Sequence, residues 1–473
     1  MTDRIENNPM QNFDIVIIGA GPGGYVAAIR ASQLGLKTAI IEREHLGGVC
    51  LNWGCIPTKA LLRSAEVFHL MENANSFGLK ATGISFDLEA IVKRSRSISG
   101  QLASGIRGLL KKNKVTVFEG TAKLEGRKTV TINLTDGKTE QLSASHIILA
   151  TGGRARILPF MPLNHPRVWQ AKEAMTPTFM PKELLIIGSG AIGIEFASFY
   201  KTLGANVTVV EVQDRILPHE DNEISTLAQK SFEKKGMNFI LGASFTDMKA
   251  TDKKVTVSIK LANGSVETKE SDAVIVAVGV IGNTENLGLE KTKAVIERGQ
   301  IVVDVYCQTA EPGIYAIGDV AGAPWLAHKA SHEGIICVEK IAKHTPHPIT
   351  RNNIPGCTYS MPQIASVGLT ESAAKAQGLE IKVGRFPFVG NGKAIALGET
   401  EGLVKTIYNA KTGELLGAHM IGAEVTELIQ GFVIAKTLEA TEAELMHTIF
   451  PHPTLSEMMH ESTLDAYGKV IHY

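Results

Sequence analysis

The chain has 473 residues, more than one hydrophobic core can organise, and a prior of about 150 residues per domain points to roughly three domains. Lys+Arg and Asp+Glu each total 48, so the formal net charge is zero and the electrostatic case for nucleic acid or an anionic membrane falls away. The longest apolar run, Ala273 to Gly282, is ten residues against the roughly 20 a spanning helix needs, and five cysteines are too few for an extracellular disulfide framework.

Phe13 to Ile18 is a short apolar run that ends in Gly19, Gly21 and Gly24 (GAGPGG). A helical pattern follows, Tyr25 to Leu34, and stops at Gly35. A second apolar run, Lys37 to Ile41, ends at Glu42. Strand, glycine turn, helix, strand and acid in that order form a dinucleotide fingerprint. The glycines permit a tight turn and a close pyrophosphate, and Glu42 can accept hydrogen bonds from a ribose. A purely structural glycine turn is the plainer alternative.

Gly47 to Lys59 reads GGVCLNWGCIPTK and holds Cys50 and Cys55. Pro57 suits the first turn of a helix, because it lacks an N–H and its φ is preset. Cys55 is therefore expected at or just before a helix N-terminus, where unpaired N–H groups favour a thiolate. Cys50 is expected in the loop leading in, where Gly47, Gly48 and Gly54 let the chain fold back and bring two sulfurs together. A redox-active dithiol is the reading. Two unrelated buried thiols, or a metal site lacking its second Cys/His cluster, are the alternatives, and no metal is expected.

Ser64 to about Lys112 reads as helix, broken around Asn73 to Phe86. Val115 to Leu149 reads as antiparallel strands with an Asp136-Gly137 turn. Ile147 to Ala150 then runs into Thr151, Gly152 and Gly153, small residues that allow a ligand close to the backbone. At Leu184 to Ile187 the opening pattern begins again. Gly188, Gly190 and Gly193 (GSGAIG) precede a helix to Leu203, a stop at Gly204 and a strand, Asn206 to Val210, ending at Glu211. The same 23-residue offset separates Gly19 from Glu42 and Gly188 from Glu211. Two fingerprints in one chain imply two dinucleotides. A carboxylate at Glu211 binds a ribose 2′-OH and repels a 2′-phosphate, which favours NAD over NADP, although Arg215 stands nearby.

Ala273 to Gly279 is another buried strand ending in glycine. Glu311 to Asp319 (EPGIYAIGD) is a turn, a short strand and an acid, and Asp319 could accept a bond from a polyol or ribose or be a solvated turn residue. Ala327 to Ile341 reads as helix. Beyond about Arg351 the pattern becomes α+β with no dinucleotide motif: strands at Ile364–Gly368, Ile381–Phe388, Leu403–Tyr408 and Leu415–Met420, with helices at Glu371–Gln377 and Glu424–Leu438. It reaches Pro451-His452-Pro453-Thr454-Leu455-Ser456-Glu457. Thr454 and Glu457 match a capping box. The sharper reading makes His452 a general base oriented by Glu457.

Taken together, GGVCLNWGCIPTK, GAGPGG, GSGAIG, YAIGD and HPTLSE resemble the pyridine nucleotide–disulfide oxidoreductases, over essentially the whole chain. The resemblance implies an α/β fold with two Rossmann-like dinucleotide-binding domains, for FAD and NAD, plus a C-terminal α+β dimerisation domain. The implied bounds are 1–152 for the first part of the FAD domain, 153–280 for the NAD domain, 281–350 for the segment completing the FAD domain, and 351–473 for dimerisation. Carried over by position, Gly19, Gly21, Gly24, Glu42 and Lys59 would contact FAD, with Gly120, Thr151, Asp319 and Ala327. Gly188, Gly190, Gly193, Glu195, Glu211 and Gly279 would serve NAD, with Phe245 near the adenine. Cys50 would be the interchange thiol and Cys55 the flavin-side thiolate. His452 and Glu457 would act in the partner subunit's site within a homodimer.

The implied reaction is NAD-dependent oxidation of protein-bound dihydrolipoamide. The implied partner is the lipoyl domain of a 2-oxo acid dehydrogenase acyltransferase or a glycine-cleavage carrier. A glutathione reductase-like enzyme and a non-catalytic flavin-bound assembly subunit are the alternatives. The family often has a GRxPN stretch where this chain has Gly279, Val280, Ile281, Gly282 and Asn283. With no secretory signal or basic transit pattern in MTDRIENNPMQN, the expected location is cytoplasmic, with a mature mitochondrial matrix protein as the alternative.

Overall fold

The computed structural model describes residues 10–162 and 164–473. Its contacts group the chain into two units: the residues up to Ala60 with Lys93–Arg156 and Gly279–Ile349, and Leu61–Val92 with Ile157–Val278 and Thr350–Tyr473.

In the first unit, five parallel strands lie side by side in the order Thr116–Leu124, Thr38–Glu42, Gln11–Ile18, Thr139–Leu149 and Ile314–Ala316. The strands Thr116–Leu124 and Thr139–Leu149 also pair antiparallel with Thr129–Leu134, so the expected antiparallel segment and the parallel sheet share two strands. The central strand is covered on both sides, as parallel sheets require. Its alternate residues enter different cores: Val16 and Ile18 pack with Ile41, Ile147 and Leu149, whereas Ile15 and Ile17 pack with Ala27, Ala28 and Ala31 of the helix Pro22–Gln33. That helix lies against Ala327–Ile341. The two approach so closely that a Cβ on Gly334 would stand 2.7 Å from the carbonyl oxygen of Gly23.

The second unit repeats the plan. Its parallel strands run Asn238–Ile240, Asn206–Val210, Glu183–Ile187, Ala273–Val276 and Val168–Trp169, with the glycine-loop strand again central. An antiparallel trio, Ser244–Ala250, Val255–Lys260 and Val266–Ser271, precedes Ala273–Val276. The same unit contains a five-stranded antiparallel sheet in the order Gly356–Thr358, Gln363–Gly368, Leu415–Gly422, Leu403–Asn409 and Ile381–Pro387. Helices Val425–Thr437 and Glu457–Asp465 pack on it.

A buried charge cluster joins that sheet to the second fingerprint region. Lys405 Nζ, on a side chain 2% exposed, lies 2.8 Å from Asp221, 2.9 Å from Glu223 and 2.7 Å from Glu371. No helix among the described residues is long and apolar enough to cross a membrane.

Candidate active site and cofactor sites

The stretch from Gly47 to Lys59 is built of two helices. Gly48–Trp53 is a six-residue helix that contains Cys50, and Cys55–Glu72 begins on Cys55 itself. The expected loop around Cys50 is therefore corrected. The turn lies ahead of that cysteine, at Gly47 and Gly48, whose φ values of 91° and 59° favour glycine. Folding back across Gly54 brings the two cysteines into hydrogen-bonding contact. That bond, and then burial, pushes the Cys50 thiol up, with Lys59 pulling the other way. Cys55 stands at a helix start, the end of a helix where a thiolate is favoured.

The first fingerprint fixes where this pair sits. The Gly47 N–H donates to the carbonyl of Ala20 at 2.8 Å. A Cβ on Gly48 would stand 2.7 Å from Cα of Gly21. The dithiol segment therefore rests directly on the glycine loop. Residues of the helix Leu88–Lys112 brace it from outside, and no local sequence signal marks them. Arg96 lies 4.0 Å over the Trp53 ring and donates to the carbonyl of Asn52. Ser95 Oγ donates to Pro57 O at 3.1 Å, and Arg94 donates to Ala60 O at 3.0 Å.

The two fingerprints are near copies in geometry. Gly19 and Gly188 have φ of 103° and 100°, and a Cβ on either would meet the carbonyl of Ala150 or Ala277 at 2.2 or 2.3 Å. Gly24 and Gly193 are required by packing, since a Cβ would stand 1.9 or 2.0 Å from the carbonyl of Gly19 or Gly188. Gly21 and Gly190 differ. Their backbone is extended, with φ of −67° and −68° and ψ of −176° and 179°, which any residue adopts. A Cβ on Gly190 would meet no protein atom within 4 Å, and one on Gly21 only Gly48 Cα at 3.9 Å. The fold does not demand glycine there. Glycine leaves open the space before each helix N-terminus, which is the space a dinucleotide pyrophosphate needs. The residues present fit both cofactors on this test.

The acids behave alike too. Glu42 Oε2 accepts from Ala20 N at 2.8 Å and Oε1 from Glu44 N at 2.9 Å. Glu211 Oε2 accepts from Ser189 N at 2.9 Å and Oε1 from Gln213 N at 2.9 Å. Each carboxylate thus ties its glycine loop to the end of the second strand. Arg215 is turned away from this role: its guanidinium donates to Pro218 O at 3.2 Å and to Asp214 at 3.4 Å.

The other cofactor candidates are placed as follows. Lys59 follows Cys55 on the same helix. Gly120 is needed by its own sheet, since a Cβ would meet Asn133 O at 2.4 Å. Thr151 is clamped to Asn283, its Oγ1 donating to Asn283 O at 2.8 Å and its carbonyl accepting from Asn283 Nδ2 at 2.9 Å. Asn283 belongs to the atypical stretch after Gly279 and gives that stretch a structural task. Burial raises the Asp319 carboxyl, with Lys329 opposing and Glu333 adding to it. Ala327 opens its helix. Lys329 and Glu333, paired at 2.8 Å on that helix, escaped the sequence reading although their four-residue spacing is a recognisable signal.

Gly279, with φ of 110°, falls in the first unit. In the second unit, Glu195 is buried and its Oε1 accepts from the backbone N–H of Tyr359 at 3.0 Å. Phe245 is a core residue, edge-on to Phe160 at 4.9 Å.

His452 and Glu457 come together as expected. His452 Nδ1 lies 2.9 Å from Glu457 Oε1, on an exposed imidazole. The second oxygen, Oε2, accepts from Thr454 N at 2.8 Å. Only half of the expected capping box forms. Thr454 Oγ1 turns to Pro451 O and Ser456 Oγ, and the helix N-cap is Ser456. Burial raises the Glu457 carboxyl, but the Thr454 N–H and His452 more than offset this and hold it below the usual range. Nδ1 is thus committed to the carboxylate, which leaves Nε2 as the nitrogen able to take a proton.

The pyridine nucleotide-disulphide oxidoreductase model matches residues 13–334, and the model of the corresponding dimerisation domain matches residues 354–463. The dihydrolipoyl dehydrogenase of Zymomonas mobilis is 54% identical over 464 residues, covering 98% of this chain and 99% of that one. That of Bacillus subtilis is 45% identical over 470 residues, again covering 98% and 99%. Among solved structures, LpdA from Mycobacterium tuberculosis matches with a TM-score of 0.90 at 27% identity, covering 96% of this chain and 99% of that one. The flavoprotein disulfide reductase RclA from Escherichia coli, solved as a Cu(II) complex, matches at 0.86 and 25% identity, covering 96% and 99%. The chain therefore belongs to the pyridine nucleotide-disulphide oxidoreductases, α/β proteins that carry FAD and NAD on two Rossmann-like domains and have a C-terminal α+β dimerisation domain.

Proposed function

We propose that this chain oxidises protein-bound dihydrolipoamide to lipoamide and reduces NAD to NADH, through Cys50 and Cys55. The observation that carries the reading is the contact between the dithiol segment and the first glycine loop, Gly48 against Gly21. It sets a reactive thiol pair against the site expected to hold a flavin. On this reading the FAD domain comprises 1–152 completed by 281–350, the NAD domain 153–280 and the assembly domain 351–473.

The cycle starts from the Cys50–Cys55 disulfide. A substrate thiolate attacks Cys50 Sγ, the S–S bond breaks, and Cys55 leaves as a thiolate favoured by its helix terminus. The second substrate thiol then attacks the substrate sulfur of the mixed disulfide, closes the lipoamide ring and releases Cys50. Two electrons have entered the cysteine pair, and two protons have left the substrate. His452 Nε2 takes the proton from the attacking thiol, with Glu457 fixing the ring and stabilising the imidazolium. FAD, when bound on the first fingerprint, supplies the means to pass the electron pair from Cys55 to NAD as a hydride. Glu211 selects NAD by accepting from a ribose hydroxyl and repelling a 2′-phosphate.

The working form is a homodimer in which His452 and Glu457 serve the partner's dithiol. Its substrate is the lipoyl domain of an acyltransferase or a glycine-cleavage carrier, and its location is the cytoplasm. The test is steady-state turnover with dihydrolipoamide, glutathione and Hg(II), each with NAD(H) and NADP(H). Dihydrolipoamide with NAD should give the highest kcat/KM, and Cys50→Ser should abolish it. Turnover of dihydrolipoamide that survives Cys50→Ser would sink the reading.

A further inference from the structure

Among the described residues, none donates a hydrogen bond to the Asp319 carboxylate. Its place is therefore inherited from the backbone of the short 3-10 turn that carries it, Gly318–Ala321. At the start of the turn, the Gly318 N–H donates to Glu333 Oε2 at 2.7 Å. Just past its other end, the carbonyl of Gly322 accepts from Lys329 Nζ at 2.9 Å. The two side chains that make these bonds are 8% and 13% exposed and are paired with each other at 2.8 Å. One buried ion pair thus holds both ends of the turn.

A buried ammonium or carboxylate is costly unless it is paired and its hydrogen-bonding capacity is used. Here the Gly318 N–H and the Gly322 carbonyl complete what the pair leaves open. The other anchors of the turn belong to the sheet side. Val320 is buried in the core, and the Ile317 N–H donates to Leu149 O at 2.9 Å. They seat the turn on the sheet and leave its tilt to the two bonds from the helix Ala327–Ile341. That helix is itself fixed on the fingerprint helix Pro22–Gln33, by Gly334 against Gly23 and by Arg30 paired with Glu339 at 2.6 Å. The pair therefore relates Asp319 to the helix that follows the first glycine loop.

We infer that the Lys329–Glu333 pair is the positioning element for Asp319: by holding Gly318 and Gly322 it sets the carboxylate in a fixed relation to the first glycine loop, and so governs how tightly FAD is retained. The inference rests on the reading of Asp319 as an FAD contact. It assigns neither Lys329 nor Glu333 a contact with FAD.

The test is the rate of FAD release from the full-length holoenzyme, followed by flavin fluorescence, beside amide hydrogen exchange across residues 317–323. Lys329→Met should release FAD roughly 10- to 100-fold faster, the worth of one hydrogen bond to a charged group, and should speed exchange in the turn. Asp319→Ala should also release FAD faster. Because both changes act through one carboxylate, Asp319→Ala combined with Lys329→Met should match Asp319→Ala alone within about twofold. Arg30→Met breaks a pair elsewhere on the same helix and should leave release unchanged. Lys329→Met strands the Glu333 carboxylate, so a second variant combines it with Glu333→Gln. That variant buries no unpaired charge, should fold, and should still release FAD fast. Unchanged release in it or in Lys329→Met overturns the inference. So do multiplying effects of Lys329→Met and Asp319→Ala, or release from Arg30→Met as fast as from Lys329→Met. If Asp319→Ala releases FAD at the wild-type rate, the reading of Asp319 fails and takes the inference with it. If Asp319→Ala is fast while Lys329→Met is unchanged, only the role of the pair falls.

Discussion

Gly190→Ala is the perturbation that most directly asks whether the second glycine loop exists for the fold or for a ligand. The backbone there is extended, and the added methyl would find no protein atom within 4 Å. No clash arises, so the stability change should stay within about 0.5 kcal/mol, a small loss of helix capping offset by lower unfolded-state entropy. The methyl would, however, occupy the space before the helix N-terminus. Forcing a methyl into a filled site typically costs about 1–3 kcal/mol, so the affinity for NAD should fall roughly 5- to 150-fold. Gly193→Ala is the contrasting control, because its Cβ would stand 2.0 Å from Gly188 O. That variant should lose stability whether or not NAD is present. The assay is calorimetric titration of NAD beside thermal unfolding of each variant without it. Unchanged NAD affinity in Gly190→Ala would refute the reasoning, and so would unfolding as severe as that of Gly193→Ala.

Cys50→Ser and Cys55→Ser should each lower dihydrolipoamide turnover on the order of 10³-fold or more, while NADH-driven dye reduction persists; stopped-flow rates for the two half-reactions decide this. Glu457→Gln should cost roughly 10- to 100-fold in kcat with dihydrolipoamide, the worth of one hydrogen bond to a charged group, with little effect on dye reduction. Lys405→Met should destabilise the second unit by about 3–5 kcal/mol, because it strands the Asp221 carboxylate, 1% exposed, without its cation. The pH dependence carries a sign. Burial raises Asp221 and Glu223, but Lys405, with Arg385 at Glu223, overrides it, and Lys375 with Lys405 lowers Glu371. Carboxyls depressed in the folded state contribute stability above about pH 4 that is lost as the pH falls through their folded values. The gap between wild type and Lys405→Met in denaturant titrations should therefore be widest at neutral pH and narrow below about pH 4.

Much of this protein was legible because its cofactor motifs are local. Strand, glycine turn, helix and acid follow one another within a few tens of residues, and the constraint at each glycine comes from its immediate neighbours. Helix and strand bounds such as Ala327–Ile341 and Asn206–Val210 matched for the same reason. The pairing of His452 with Glu457 spans five residues and was readable as a pattern of side-chain types. Cys50 was misplaced in a loop because the glycines around it mark a turn without saying on which side of the cysteine it falls.

Tertiary structure alone decided what joins residues far apart in the chain. It packs Gly48 on Gly21, and it stacks Arg96 of a distant helix on Trp53. The Tyr359 N–H fills the Glu195 carboxylate across 164 residues. Three acids from two regions surround Lys405, and residues 471 and 472 close over Glu461. A buried charge must be met by whatever polar group folding brings to it, and composition or spacing cannot name that group beforehand. Local chemistry therefore names the candidate reacting residues from sequence, while long-range burial decides how they are placed.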